Sequence, residues 1–451
     1  MSDEVAQQLE PAVAATPLAT GGLGERVRAL RVGKGLTQTD LAGDRFSKEY
    51  ISQIERGKTR PTSQTIAWLA ERLDVDVELL TRGVASDVRD RIEALLARAE
   101  ASSASHRYDE AIQAFRETRE ILARAGSAEL EARALAGEGW ALMQQGDVRE
   151  AIDVLQVARA LSELPQFSDL ERAEILFRLG CCRYKLSSIA TAVSLLDEAL
   201  LLAERSGLPC DRLRAQILSW RSRCRRRQRD FEAAREDALL ALELGQAADD
   251  PRVVAGSFFQ ASFVAEKMGH LILARQYAQQ ARAIYAELED DRNSGRIMLN
   301  LGGLQLLLGK SEQAIEHLND AFALAVEAGS QPDAAQALGS LAAVHLQLGE
   351  YELAEEHARK ALELLGGRED FLDEIGQSSL VLGRSLLERG RLDEAEEWFR
   401  SADGAFEQMA SVGHRAGVWV ALGDLADRRG DDREAARLYR NAAEALRIVR
   451  F

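Results

Sequence analysis

The chain has 451 residues, 46% of them hydrophobic and 29% charged, with 7 prolines, 13 Phe, 7 Tyr and 5 Trp. This composition belongs to a folded globular protein and excludes collagen-like and disordered chains. No apolar run nears the roughly 20 residues of a membrane span, and the start, with Asp3, Glu4 and Glu10, has no signal-peptide character, so a cytoplasmic protein without a membrane partner is expected. Cys181, Cys182, Cys210 and Cys224 form no CxxC pair and read as reduced, buried thiols. The net charge is −16, yet residues 24–62 hold nine Lys/Arg against five Asp/Glu, so a small basic module is joined to a large acidic body.

In chain order, residues 1–23 read as a flexible tail, with Gly21, Gly22 and Gly24 leading into the first domain. Residues 24–82 read as five short helices with Val27, Leu30, Leu36, Leu41, Ile51, Ile54, Ile66, Leu69 and Leu73 as the apolar positions. Thr37 followed by Asp40 is a capping-box signature opening the second helix, Ser47 caps the third and Gly57 ends it.

The phrases LTQTDLA and YISQIERGKTRP resemble the lambda-repressor/Xre type of helix-turn-helix domain. The connection GDRFSKEY is one residue shorter than is usual there and lacks the customary turn glycine. The resemblance implies that the second helix lies over the phosphate backbone of duplex DNA while the third enters the major groove. It assigns Thr37 and Gln38 to phosphate contact and Lys48, Glu49, Ser52 and Gln53 to base reading. Tyr50, Lys58 and Arg60 are further candidate phosphate contacts. The residues support this independently: with Ile51 and Ile54 facing inward, helical spacing turns Lys48, Glu49, Ser52 and Gln53 outward. Lysine donates to guanine, glutamine pairs with adenine, and glutamate accepts from cytosine. The bland alternative is a small bundle with a solvated basic face.

From residue 88 onward the chain repeats itself. A phrase with Ala five residues after its start recurs nine times at intervals of 40 to 42 residues. Six copies start with glycine (Gly146, Gly269, Gly309, Gly349, Gly390, Gly430), and degenerate copies start at His106, Ser187 and Arg229. Seven residues before each start the residue is always small: Ala99, Gly139, Gly180, Ser222, Ser262, Gly302, Ala342, Gly383 and Gly423. Small residues at fixed places mean closely crossing helices, so each unit is expected to be a helical hairpin with its turn at the start position. The pattern resembles a tetratricopeptide repeat (TPR) array, whose usual period of 34 residues is exceeded here by longer helices. The expected fold is all-α: a five-helix helix-turn-helix domain over 24–82, then a right-handed TPR α-solenoid of about nine hairpins over 88–451.

Signals for chemistry are weak. The segment Gly302 to Ser311 imitates a phosphate-binding loop but has five residues where four are needed, between helices. His317 and His357 occupy one place in adjacent repeats, in a column with Leu195, Tyr277, Trp398 and Leu438 that only Asp237 breaks, and read as packing. No nucleophile, paired-carboxylate, metal or cofactor signature is present, so no enzyme, metal or cofactor is expected.

The fourth repeat packs eight arginines, Arg212, Arg214, Arg221, Arg223, Arg225, Arg226, Arg227 and Arg229, into 18 residues. TPR resemblance places the first helix of each hairpin on the concave face and turns Arg223, Arg226 and Arg227 inward, beside Arg178 and Lys185. Trp140, Phe177, Tyr184, Trp220, Phe259 and Phe263 are expected along the same groove, with Asn300 placed to bond a peptide backbone. The alternative is that the arginines pair with acids of neighbouring helices. The whole chain resembles bacterial HTH-TPR transcriptional regulators. That resemblance implies a dimeric DNA-binding regulator whose array senses a peptide, a small acidic effector or a protein partner; a scaffold or antagonist acting through protein contacts stays open.

Overall fold

A computed structural model describes residues 22–367, 371–409 and 411–448; all but the last two residues of the expected tail lie outside them. Every element among the described residues is helical. The chain forms two compact units, one up to Cys182 and one from Arg183.

The amino-terminal module comprises α1 (Leu23–Gly33), α2 (Gln38–Ala42), α3 (Lys48–Glu55), α4 (Ser63–Arg72) and α5 (Val77–Arg82). Side chains of Thr37, Ser47, Thr62 and Asp76 accept hydrogen bonds from the first-turn amides of α2 to α5, each cap stabilising its helix by about 1 kcal/mol. Val27, Leu41, Ile51, Leu69, Leu73 and Leu80 are fully buried, whereas Ile66, also expected inside, is only partly covered. Two expectations are corrected. Gly43 ends α2 at φ +54°, so a turn glycine is present. Gly24 belongs to α1, where an added Cβ would stand 2.2 Å from the Ile54 carbonyl oxygen; its missing side chain lets α1 rest on the end of α3.

Eighteen helices follow in sequential pairs: α6 (Ser86–Ala104) then α7 (Tyr108–Ala125), α8 (Ala128–Gln145) then α9 (Val148–Ser162), α10 (Asp169–Lys185) then α11 (Ile189–Arg205), α12 (Asp211–Arg227) then α13 (Phe231–Ala247), and α14 (Pro251–Lys267) then α15 (Leu271–Glu287). Then come α16 (Asp291–Leu307) with α17 (Ser311–Glu327), α18 (Gln331–Leu348) with α19 (Tyr351–Leu365), α20 (Leu372–Glu388) with α21 (Leu392–Gln408), and α22 (Val412–Arg428) with α23 (Asp432–Ile448). All nine start positions sit at the turn with φ between +58° and +111°, including His106, Ser187 and Arg229, which lack glycine's freedom there.

The small residues mark the crossing of the two helices. Ser222 Oγ donates to the Ala234 carbonyl at 2.7 Å and Ser262 Oγ to that of Ala274 at 2.8 Å. At Gly302 a Cβ would stand 2.6 Å from Leu318 Cγ, so the phosphate-loop mimic is a packing feature. Neighbouring hairpins are also stapled electrostatically. Arg212 pairs with Asp250 at 2.9 Å, Arg252 with Asp290 at 2.7 Å and Arg292 with Asp333 at 3.2 Å. Asp250 and Asp290 are themselves the amino-terminal caps of α14 and α16.

Candidate DNA-reading face and aromatic–arginine cluster

Helix α3 is held from below by one buried carboxylate. Glu55, in its last turn, receives Arg31 Nε from α1 at 2.6 Å and Gln38 Nε2 from α2 at 2.8 Å. Gln38, assigned to phosphate contact, thus has its amide engaged inside the module. Thr37 is the α2 cap: its hydroxyl donates to Asp40 Oδ2 at 2.6 Å. Tyr50 packs at 5.1 Å on Phe46, which meets Trp68 of α4 edge-on at 5.0 Å, so this aromatic run braces the α2–α3 turn.

Lys48, Glu49 and Gln53 are exposed and Ser52 partly so, on the side opposite buried Ile51 and Ile54. Gln53 Oε1 accepts from Thr59 Oγ1 at 3.2 Å. Exposed Arg45 and Lys48 stand at the start of α3, and exposed Lys58 and Arg60 follow its end. None of these four has a carboxylate partner among the described residues. Arg45 was not singled out from the sequence; its guanidinium lies 5.7 Å over the Phe46 ring.

The second group of candidates is divided between the compact units. In the first, Trp140 stacks on Phe177 at 6.0 Å, and Arg178, paired with Glu174, lies 6.0 Å over the Trp140 ring. Phe177 is buried and serves the core.

In the second unit, Tyr184 meets Trp220 edge-on at 5.6 Å with an interplanar angle of 87°. Arg227 lies 4.7 Å over Tyr184, Arg223 lies 4.5 Å over Trp220, and Arg226 lies 4.9 Å over Phe263. Phe263 is 4.8 Å from Phe259. Such cation–π contacts contribute about 0.5–2 kcal/mol each and fix the guanidinium planes. Lys185 extends to Phe371, its ammonium 6.0 Å over that ring. Close by, burial and Asp373 push the Glu374 carboxyl up, against the opposing pull of Lys185 and of a 2.6 Å hydrogen bond from Gln336 Nε2. Asn300 is only 6% exposed, and its side-chain amide meets Ser262 Oγ at 2.8 Å.

The remaining arginines of α12 behave otherwise. Arg221 holds Asp237 through Nε at 2.9 Å and Nη2 at 2.7 Å and reaches Asp197 at 2.8 Å; Arg225 joins Asp237 at 3.3 Å. Asp237, which breaks the packing column, is therefore the buried counter-ion of two arginines. Arg212 and Arg214 also have acidic partners, while Arg229 occupies the hairpin turn. Beneath this face burial pushes the Cys224 thiol up to about 12, which keeps it protonated; Cys181 and Cys182 are buried too, and Cys210 is partly exposed. His357 stacks at 5.3 Å on His345 of the preceding helix.

Comparison with known families agrees with this architecture. A helix-turn-helix domain model matches residues 23–82, and tetratricopeptide repeat models match 136–209, 254–327, 333–408 and 418–448. The module is 44% identical over 61 residues to an uncharacterized HTH-type transcriptional regulator, y4dJ, of Sinorhizobium fredii, covering 13% of this chain and 79% of that one. It is 41% identical over 61 residues to the HTH-type transcriptional regulator DdrOP3 of Deinococcus deserti, covering 13% of this chain and 47% of that protein, less than half its length. The fold is similar to that of a Rap protein solved with Competence and Sporulation Factor, with a TM-score of 0.62 at 16% identity over 80% of this chain and 98% of that chain. The chain belongs to the HTH-type transcriptional regulators. Within that class it is an HTH-TPR protein, an Xre-type module followed by a repeat array.

Proposed function

We propose that this protein regulates transcription by binding duplex DNA as a homodimer through α3, and that its repeat array senses a small acidic effector or a short peptide. One observation carries the DNA reading. In a chain of net charge −16, Arg45, Lys48, Lys58 and Arg60 bracket an exposed polar helix face, without carboxylate partners among the described residues. Phosphates on either side of a major groove supply the missing counter-charge. Lys48, Glu49, Ser52 and Gln53 then face base edges, while Glu55, clamped by Arg31 and Gln38, fixes the angle of the helix. One such head covers a short half-site, so a two-fold dimer matches a palindromic operator.

The aromatic–arginine cluster supports the sensor half of the reading, as does the ligand bound to the similar Rap protein. To regulate, an effector must bind one arrangement of the repeats more tightly than another; a coupling of about 1–3 kcal/mol is typical. The test is selection of fragments from the source genome by the full chain, followed by light scattering on the recovered complex. Enrichment of palindromic sites bound by two copies of the 49.6 kDa chain is expected. No enrichment over random fragments would overturn the DNA reading, and one copy per site would overturn the dimer.

A further inference from the structure

Helix α12 sorts its arginines by face. Those on one side, Arg221 and Arg225, are neutralised by Asp237 and Asp197. Those on the other, Arg223, Arg226 and Arg227, are seated on rings. The chain carries 73 acidic residues, yet neither Arg226 nor Arg227 has a carboxylate partner among the described residues. Glu266, which holds in the next hairpin the helical place of Arg226, is paired with Lys267 at 2.8 Å.

We propose that this cluster is a binding subsite for a phosphorylated molecule bearing a planar ring, that is, for a nucleotide. The proposal rests on the sensor reading above and names its ligand class. A ring beneath a guanidinium covers its flat face and leaves the in-plane N–H groups to bond an anion, so stacking prepares the fork for phosphate. Arg227 already gives one N–H to Ser187 Oγ at 3.2 Å. Arg226 and Arg227 bring two positive charges, one more than a single carboxylate matches, whereas a diphosphate neutralises both. The partly exposed rings of Tyr184 and Trp220 meet at a corner suited to stacking a base. An extended peptide finds less: Asn300, the amide expected to bond its backbone, is buried and engaged by Ser262.

Calorimetry on the full chain tests this with four probes: ADP, adenosine, pyrophosphate and the tripeptide Ala-Ala-Phe with a free carboxylate. ADP is expected to bind most tightly, with adenosine and pyrophosphate each at least about tenfold weaker. Arg226→Gln and Arg227→Gln should each weaken ADP about tenfold or more, the loss of one charge-assisted hydrogen bond. Phe263→Leu, which removes the ring beneath Arg226, should weaken ADP and pyrophosphate alike and leave adenosine unchanged. Unaltered helical circular dichroism and melting would show each variant folded. Absence of ADP binding at millimolar concentration, or tighter binding of the tripeptide, would overturn the nucleotide class. Fragment binding by the same preparations separates the two readings: DNA bound without ADP sinks only the subsite, and ADP bound without DNA sinks only the regulator.

Discussion

The division of the α12 arginines makes a quantitative prediction for Asp237 and Arg221. Asp237 is buried and serves both Arg221 and Arg225, so Asp237→Leu strands two guanidinium groups that are themselves mostly covered. Breaking a buried pair in this way costs about 3–5 kcal/mol. The lower end is expected here, because Arg221 keeps Asp197, whose side chain is half exposed. Arg221→Leu leaves Asp237 with Arg225 at 3.3 Å and should cost about 1–2 kcal/mol. The double variant restores apolar residues of the kind that other repeats carry at these places: Leu301, Leu341, Leu382 and Leu422 for Arg221, Leu195 and Leu438 for Asp237. Replacing a buried pair by apolar side chains is often neutral, but Arg225 is left with only the Ala233 carbonyl among the described residues, so the double change should cost about 1–2 kcal/mol. The coupling is then about 3 kcal/mol. Because stacked repeats open locally, amide exchange in α12 and α13 should be followed alongside urea unfolding. Costs that add within about 0.5 kcal/mol would show that the pair is not coupled and that the sorting of arginines has no energetic basis.

Three further outcomes follow from the geometry. Arg229→Gly, at a turn with φ +66°, should raise stability by roughly 0.5–1 kcal/mol in urea unfolding, relief of the left-handed conformation exceeding the entropy glycine loses on folding. Gly24→Ala should lower the stability of the amino-terminal module by about 1–3 kcal/mol, because its Cβ would meet the Ile54 carbonyl oxygen at 2.2 Å; an unchanged melting transition would refute that close approach. Burial, reinforced by His345, holds the His357 imidazole below its usual value, so the folded chain resists the proton that the unfolded chain accepts. The stability this provides is complete above pH about 6.5 and is lost as pH falls through the lowered value; His357→Leu should flatten unfolding measured from pH 7.5 to 5.5.

The hairpins were legible because their causes are local. A close crossing demands a small residue, a turn at positive φ favours glycine, and both recur at the period of the repeat. The degenerate starts at His106, Ser187 and Arg229 were found by spacing alone, and their backbone adopts the same left-handed turn without glycine. Partners distant in sequence were another matter. Asp237 showed only as a break in a packing column; its burial and the arginines it serves did not show. The reach of Lys185 to Phe371 joins different hairpins, so no local period encodes it. Exposure also escaped the pattern: Phe177 and Asn300 lie on the expected face yet are buried, since helical spacing gives direction and not the depth of a neighbour's side chain. In the amino-terminal module the caps Thr37 and Ser47 were visible in the sequence, whereas Glu55 as the shared anchor of Arg31 and Gln38 required three helices to be in place.

The central claim, that the unneutralised basic residues around α3 meet DNA phosphates, is tested most directly by fluorescence anisotropy of the full chain on a selected fragment across a salt series. Log affinity should fall linearly with log salt, at about −0.9 per phosphate contact. Lys58→Ala should weaken every fragment and flatten that slope by about one contact, while Gln53→Ala should keep the slope and lose about 1–3 kcal/mol of discrimination at one base position. Affinity independent of salt, or a Lys58→Ala slope equal to that of the unaltered chain, would contradict the account.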